Sequence, residues 1–229
     1  MTDPNILEEQ LEYYRARAGE YDEWFLREGR YDRGPQHRAE WFSEVALVET
    51  ALRHELQAGD VLELACGTGW WTRHLAWQHP RDVAIDGSPE AIALNRQRVN
   101  SDVVEYVVGD LFSWQPDTRY DSVFFGFWLS HVPPEHFERF WANVRASLKN
   151  EGRVFFVDSL LEQSSTAHDH DRLDRTGVVQ RRLNDGREFS IVKVFYEPAD
   201  LEGRVNELGW RGWVRSTGRF FLYGSLAPF

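Results

Sequence analysis

An α/β fold, with a mostly parallel sheet and helices on both faces, is predicted by two features of this sequence. Beyond Asp60, short apolar runs alternate with amphipathic helical stretches, the order that parallel strands joined by crossover helices require. The first of these runs, "VLELACGTGWW" (Val61 to Trp71), ends in two closely spaced glycines ahead of a helical pattern, a strand–turn–helix junction. With 229 residues and 42% apolar side chains, the chain is long enough for one domain with a sizeable core and short for two.

Each element has its own signal. From Ile6 to about Glu28, Ile6, Leu7, Leu11, Tyr14, Ala18 and Tyr21 recur at helical steps. "REGRYDRGPQ" breaks that pattern with Gly29, Gly34 and Pro35, and a second helix is predicted from about Arg38 to Leu56, stopped by "QAGD". Strands are expected at Val61–Leu64, Val83–Ile85, Val103–Val108, Ser122–Phe125 and Arg153–Val157. Helices are expected between them at about Trp70–Gln78, Pro89–Val99 and Pro134–Leu148. After Asp158, "LLEQSSTAHDHDRLDRTG" reads as a polar loop, and "VVQRRLNDGREFSIVKVFYE" as a hairpin turning at Asn184, Asp185 and Gly186. A helix at about Pro198–Leu208 and two strands, "RGWVRSTG" and "RFFLYGSLA", complete the chain. The expected organisation is one domain: a helical cap over 1–58, a ligand-binding core over 59–158, and a substrate-side insertion with the last strands over 159–229.

Composition excludes some function classes. A net charge of -11, with arginines scattered among acids, repels phosphate backbones and argues against a nucleic-acid partner. No apolar run nears the roughly 20 residues needed to span a bilayer, and the N-terminus is unlike a signal peptide, so no membrane partner and a cytoplasmic location are expected. The single cysteine, Cys66, suits a reducing compartment. Ten tryptophans and fifteen phenylalanines are many for this length; most fit a core, and those near glycines and loops are available to wall a pocket.

A strand feeding a glycine turn and then a helix offers backbone N–H groups to a nucleotide-like ligand at the carboxyl edge of the sheet. The dinucleotide pattern G-x-G-x-x-G is not met, because Thr72 stands at its third glycine position and Trp70 and Trp71 are bulky. Glu63 near the strand end would repel a pyrophosphate and suit an ammonium-bearing ligand. "VLELACGTG" resembles motif I, E/D-x-G/A-C-G-x-G, of the class I S-adenosylmethionine-dependent methyltransferases. "VAIDGSPEAI", "VEYVVGDLFSW" and the stretch from Tyr120 to Asp158 resemble the later strands of that family, in its order and at sensible distances.

The resemblance covers Val61 to Asp158. It implies a Rossmann-like seven-stranded, mostly parallel sheet with a C-terminal antiparallel hairpin, and S-adenosyl-L-methionine as cofactor. It further implies that Ala65, Gly67 and Gly69 wrap the methionine and ribose portions, and that Asp86, beside Gly87 and Ser88, holds the ribose hydroxyls. Asp110 would accept from the adenine amino group, with Leu111 and Phe112 flanking the ring. Ala65 replaces a more usual glycine, and Asn150 and Arg153 replace the proline and second glycine of a turn.

Methyl transfer from a sulfonium is an in-line displacement, so the protein mainly aligns the nucleophile, excludes water and, for some acceptors, removes a proton. His131 in "FGFWLSHV" is the candidate base; the alternative is a wall histidine held by a backbone carbonyl. His168, Asp169, His170 and Asp171 are too close in sequence to converge on one ion, so no metal is expected. "EYYRARAGEYDEWF" resembles the cap of small-molecule methyltransferases, where Tyr14 and Tyr21 would face the sulfonium or simply pack the cap. Arg15 and Arg17 read as a solvated helix face, with a carboxylate contact as the alternative, while Phe127 and Trp128 border cofactor and acceptor, with core packing as theirs. The chain lacks N/D-P-P-Y/F after its fourth strand, the motif of the family's amino-methylating nucleic-acid enzymes.

The expectation is therefore an enzyme that methylates an oxygen or nitrogen of a small, partly apolar acceptor, with an insertion at about Leu160–Arg182 shaping the pocket, acting as monomer or homodimer. The layout resembles methyltransferases common in high-GC bacteria, some acting in secondary metabolism. The alternatives are a non-catalytic cofactor-binding regulator, a nicotinamide-dependent oxidoreductase, and methylation of a protein side chain.

Overall fold

The computed structural model describes residues 4–229. Helix α1 (Pro4–Arg17) runs into a single 3-10 turn at Ala18–Glu20 and then α2 (Tyr21–Leu26), so the one helix expected from Ile6 to Glu28 is two. The break falls at Gly19, where a residue of low helix propensity lets the chain change direction. Arg27 ends α2 in a left-handed conformation (φ 57°), and its fully buried guanidinium donates to the Ser165 carbonyl and lies 4.2 Å from the Trp41 ring. Helix α3 (Pro35–Glu55) starts three residues before the predicted Arg38, because Pro35 sits in the first turn where a missing N–H costs nothing.

The sheet strands are β1 (Asp60–Leu64), β2 (Arg81–Asp86), β3 (Val104–Val108), β4 (Tyr120–Gly126) and β5 (Leu148–Ser159), with α4 (Thr72–Gln78), α5 (Pro89–Val99) and α6 (Phe137–Ser147) between them. After β5 come β6 (Gly177–Arg182), β7 (Glu188–Lys193), α7 (Pro198–Glu207), β8 (Trp210–Ser216) and β9 (Phe221–Pro228). Seven strands form one sheet in the order β3-β2-β1-β4-β5-β9-β8. Strands β1 to β5 are mutually parallel, whereas β9 runs antiparallel to β5 and β8 to β9, matching the predicted sheet and its C-terminal hairpin. The order leaves β1 in opposite directions, toward β2 on one side and β4 on the other. A crevice therefore opens at their carboxyl ends, where ligands of such sheets bind.

Two-residue alternation in the central strands supplies both faces of the core. Phe124 and Phe155 face α3, packing with Trp41, Val45, Val48 and Leu52, while Phe125 and Phe156 face α6 and α7 with Trp141, Val144, Leu201 and Val205. Register pairs each phenylalanine with its neighbour across β4 and β5, and both pairs stack, at 6.3 Å and 5.3 Å between centroids. Each fully buried ring contributes about 1.5 to 3 kcal/mol relative to exposure.

Strands β6 and β7 form a separate two-stranded sheet that turns at Leu183–Arg187, with Gly186 at φ 91°. Helix α1 lies on this hairpin and satisfies its free edge with side chains: Glu9 accepts from Ser190 N (2.6 Å) and Gln10 from Val192 N (3.1 Å). Among the described residues, no helix is long and apolar enough to cross a membrane, and no group of three or more His, Cys, Asp or Glu is placed to hold a metal.

Candidate active site

The crevice at the carboxyl ends of β1, β2 and β4 deepens into a cavity of about 260 Å³ closed from above by α1. Its floor begins at Ala65, which follows β1 with φ 57°, a left-handed conformation that costs a non-glycine residue about 1 kcal/mol or more. The turn brings Gly67 N to Asp86 Oδ2 (2.9 Å), while Ser88 N donates to Oδ1 (2.8 Å). Burial pushes the Asp86 carboxyl up, and the N–H groups of Ser88, Gly67 and Gly87 pull it back. Further round the wall, Asp110 accepts from Phe112 N and the Ser113 hydroxyl, with Leu111 and Phe112 beside it.

Of the residues singled out in the sequence, Tyr14, Tyr21, Ala65, Gly67, Asp86, Gly87, Ser88, Asp110, Leu111, Phe112, Phe127, Trp128 and His131 all line this cavity. Glu63 and Gly69 do not. Glu63 is 1% exposed, points beneath the loop on the face it shares with Val61, and is hydrogen-bonded by Thr72; burial, then the neighbouring Asp82, pushes its carboxyl well up. A buried acid under the floor replaces the ligand contact expected of it. Gly69 serves packing: a Cβ there would lie 2.6 Å from Asn95 Oδ1 and 3.1 Å from Asn95 Cα. Asn95, which sequence reasoning missed, donates to the carbonyls of Cys66 and Gly67 and to Thr72 Oγ1, and accepts from the Tyr106 hydroxyl, fixing the loop from behind.

A second, smaller cavity of about 60 Å³ adjoins the first and shares four wall residues with it: Tyr14, Tyr21, Phe127 and His131. Phe127, at φ 57°, turns the chain sharply after β4 and sets its ring 4.8 Å from Trp24. Three cations line this cavity: Arg17 from α1, Arg181 from β6 and Lys193 from β7, exposed by 8%, 9% and 8%. Lys193 Nζ donates to Ser130 Oγ (2.8 Å) and lies 3.7 Å from Asp158, and burial lowers its pKa to about 8. Arg17 is set among the Tyr13, Tyr21 and Tyr31 rings, at 5.5, 4.9 and 6.0 Å. Arg15, its expected companion on a solvated face, is exposed and donates to the Gly87 carbonyl.

His131 has both ring nitrogens engaged. Nδ1 lies 2.7 Å from the Val192 carbonyl, which only accepts, so Nδ1 carries the proton and Nε2 accepts from the Tyr14 hydroxyl at 2.8 Å. Burial, then Lys193, holds its pKa well below the usual imidazole value, so the ring is neutral. His170, from the loop expected to be metal-free, is also held neutral, its pKa lowered by burial to about 4. The first cavity thus suits a ligand with hydroxyls, a flat ring and positive charge, and the second suits a small oxyanion. Among the described residues, no lysine or arginine lines the first cavity, the reverse of what a pyrophosphate needs.

A family model for a methyltransferase domain matches residues 61–152. The "Trans-aconitate 2-methyltransferase" of Mycobacterium ulcerans is 36% identical over 92 residues, 38% of this chain and 33% of that protein. The "Malonyl-[acyl-carrier protein] O-methyltransferase" of Acetivibrio thermocellus is 31% identical over 102 residues, 42% of this chain and 34% of that one. The chain therefore spans about a third of the length of these curated relatives. Similarity extends over the whole chain with two solved structures. One, described as "DhpI-SAM-HEP complex", is 41% identical with 100% of both chains covered and a TM-score of 0.83. The other, "DhpI-SAH complex structure", is 42% identical over 99% of this chain and 98% of that one, with a TM-score of 0.82.

Proposed function

We propose, from the premise that this chain belongs to the class I S-adenosylmethionine-dependent methyltransferases, that it transfers a methyl group to an oxygen of a small anionic acceptor. The observation that carries this reading is the pairing of an acid-lined cavity with a cation-lined one across a shared wall of Tyr14, Tyr21, Phe127 and His131. When bound, S-adenosylmethionine supplies a methyl group on a positively charged sulfur. The residues of the first cavity fit that group: Asp86 and Asp110 keep free lone pairs for hydroxyl and amino donors, Leu111 and Phe112 offer apolar surface, and no fixed cation opposes a sulfonium.

The division of labour follows the chain. Residues 59–158 hold the cofactor under α1, while α1 and the segment 159–229 of the same domain bring Arg17, Arg181 and Lys193 to the acceptor side, where they bind and orient an oxyanion. Tyr14, Tyr21 and Phe127 exclude water from the line of transfer. An oxyanion already carries the attacking lone pair, so no base is required. The role we assign to His131 is to fix the Tyr14 hydroxyl through Nε2 rather than to take a proton. The acceptor oxygen is also the atom named in "Malonyl-[acyl-carrier protein] O-methyltransferase", and trans-aconitate is an organic acid.

The test is calorimetric titration with S-adenosylmethionine and S-adenosylhomocysteine, followed by an assay for S-adenosylhomocysteine release with panels of small acids and small amines. Binding of both and turnover with acids are expected. Turnover confined to amines overturns the oxygen reading, and no binding of either nucleoside overturns the cofactor assignment.

A further inference from the structure

Between the two left-handed glycines of the turn after β1, Gly67 at φ 52° and Gly69 at φ 94°, stands Thr68, which is buried and lines the larger cavity. Glycine restrains its own backbone less than any other residue, so this turn takes its shape from what holds it. From below, Asn95 donates to the carbonyls of Cys66 and Gly67, and the Cys66 side chain packs with Ala84 and Ile92. From above, the hold comes from α2. The Thr68 hydroxyl donates to Asp22 Oδ1 at 2.6 Å and accepts from Arg98 Nη1 at 3.2 Å. Arg98 Nη2 pairs in turn with Asp22 Oδ2, so each of the three side chains touches the other two.

The three residues come from elements far apart in sequence: α2, the glycine turn and α5. A hydroxyl donating to a carboxylate makes a charge-assisted hydrogen bond, stronger than a neutral one. The Asp22–Arg98 ion pair is about a third exposed on both sides and contributes little by itself. Its effect is direction: with Oδ2 on Arg98, Oδ1 is turned to Thr68. Arg15 also reaches the cofactor side from the cap, but its bond to the Gly87 carbonyl is exposed and longer, at 3.3 Å.

We propose that Asp22 is a positioning residue for the cofactor: through Thr68 it holds the glycine turn in the shape that receives S-adenosylmethionine. Asp22 is not among the described residues that line the cavity, so it acts on the ligand by way of Thr68. The proposal rests on the methyl-transfer reading above and adds a residue, from outside the cofactor-binding segment, on which cofactor retention depends. Loss of the Asp22–Thr68 bond leaves Asp86 and Asp110 in place but frees the turn between them and β1, so the nucleoside leaves faster.

The experiment measures S-adenosylhomocysteine affinity by calorimetry and its dissociation rate by displacement with excess S-adenosylmethionine, on the full-length protein, with the urea midpoint read on the same samples. Asp22→Ala and Thr68→Val should each weaken S-adenosylhomocysteine about five- to twentyfold, through faster dissociation. The double variant should be no weaker than the poorer single one, because both substitutions remove the same bond. Asp22→Asn and Thr68→Ser, which keep an acceptor and a donor for that bond, should stay within about threefold of the native affinity. A merely structural role gives a different pattern: affinity would track the urea midpoint across these variants, and the two single losses would add. That pattern, or unchanged affinity in both Asp22→Ala and Thr68→Val, overturns the proposal. Native protein that binds no S-adenosylhomocysteine overturns the cofactor reading instead, so the two failures are distinct.

Discussion

Among the described residues, the larger cavity is lined by Glu8, Asp86 and Asp110 and by no lysine or arginine, whereas the smaller one, sharing four wall residues with it, is lined by Arg17, Arg181 and Lys193 and by no acid. The chain's net charge of -11 describes neither. It weighs against long polyanions, which meet the whole surface, and is silent on a small oxyanion that meets three side chains. Local sign here follows from which elements deliver the side chains. The acids sit on the ends of β2 and β3 and on α1, and the cations on α1 and the β6–β7 hairpin.

That contrast can be broken from either side. The largest effect is expected from Arg181→Glu, which places an acid in the cationic cavity. Acceptor kcat/KM should fall by the equivalent of about 2 to 5 kcal/mol, while calorimetry finds S-adenosylhomocysteine affinity unchanged. Asp86→Ala should do the reverse and weaken S-adenosylhomocysteine by about 1.5 to 3 kcal/mol. Unchanged affinity in that variant would remove Asp86 from the cofactor site.

A smaller effect sharpens the comparison through pH. Because Lys193 titrates at about 8 rather than 10.5, acceptor kcat/KM should fall by up to roughly tenfold as pH rises through about 8 and the cation is lost. Its contribution to folding has the opposite sign. A lysine whose folded pKa is depressed destabilises the fold below about 8, and that cost disappears as pH rises from about 8 toward 10.5, so denaturant midpoints should rise over the same window. Lys193→Met should flatten both profiles. Smallest is Ala65→Gly, which relieves a left-handed alanine and should raise stability by about 1 kcal/mol, read as a shift in the urea midpoint.

The acid-lined cavity was legible because its residues follow one another along the chain. A strand end, a turn and the next strand end place Gly67, Asp86 and Asp110 at one edge of a parallel sheet by topology alone. Glu63 was misplaced for a reason the same alternation contains: it is in phase with buried Val61, so it faces the helices and not the crevice. The cationic cavity was illegible as a site because its members are far apart in sequence, yet each carried a local signal. Arg181 is in phase with buried Val179, and Lys193 with Phe189 and Ile191, so both are charges on the apolar face of an alternating strand. Arg17 lies one helical turn beyond Tyr13 and Tyr14, on the face that packs inward, so the carboxylate-facing alternative fits its burial better than a solvated face.

Each cavity also carries its own tryptophan. Trp24 lines the cationic cavity, its indole donating to the Ser165 carbonyl at 3.0 Å, while Trp128 lines the acidic one with its ring 5.3 Å from Phe112. Indole emission responds to nearby charge and solvent, so the two halves of the reaction have separate intrinsic fluorophores. Stopped-flow fluorescence of Trp24→Phe and Trp128→Phe, compared with the native protein so that the other tryptophans cancel, then resolves the order in which the two ligands arrive, with no label attached.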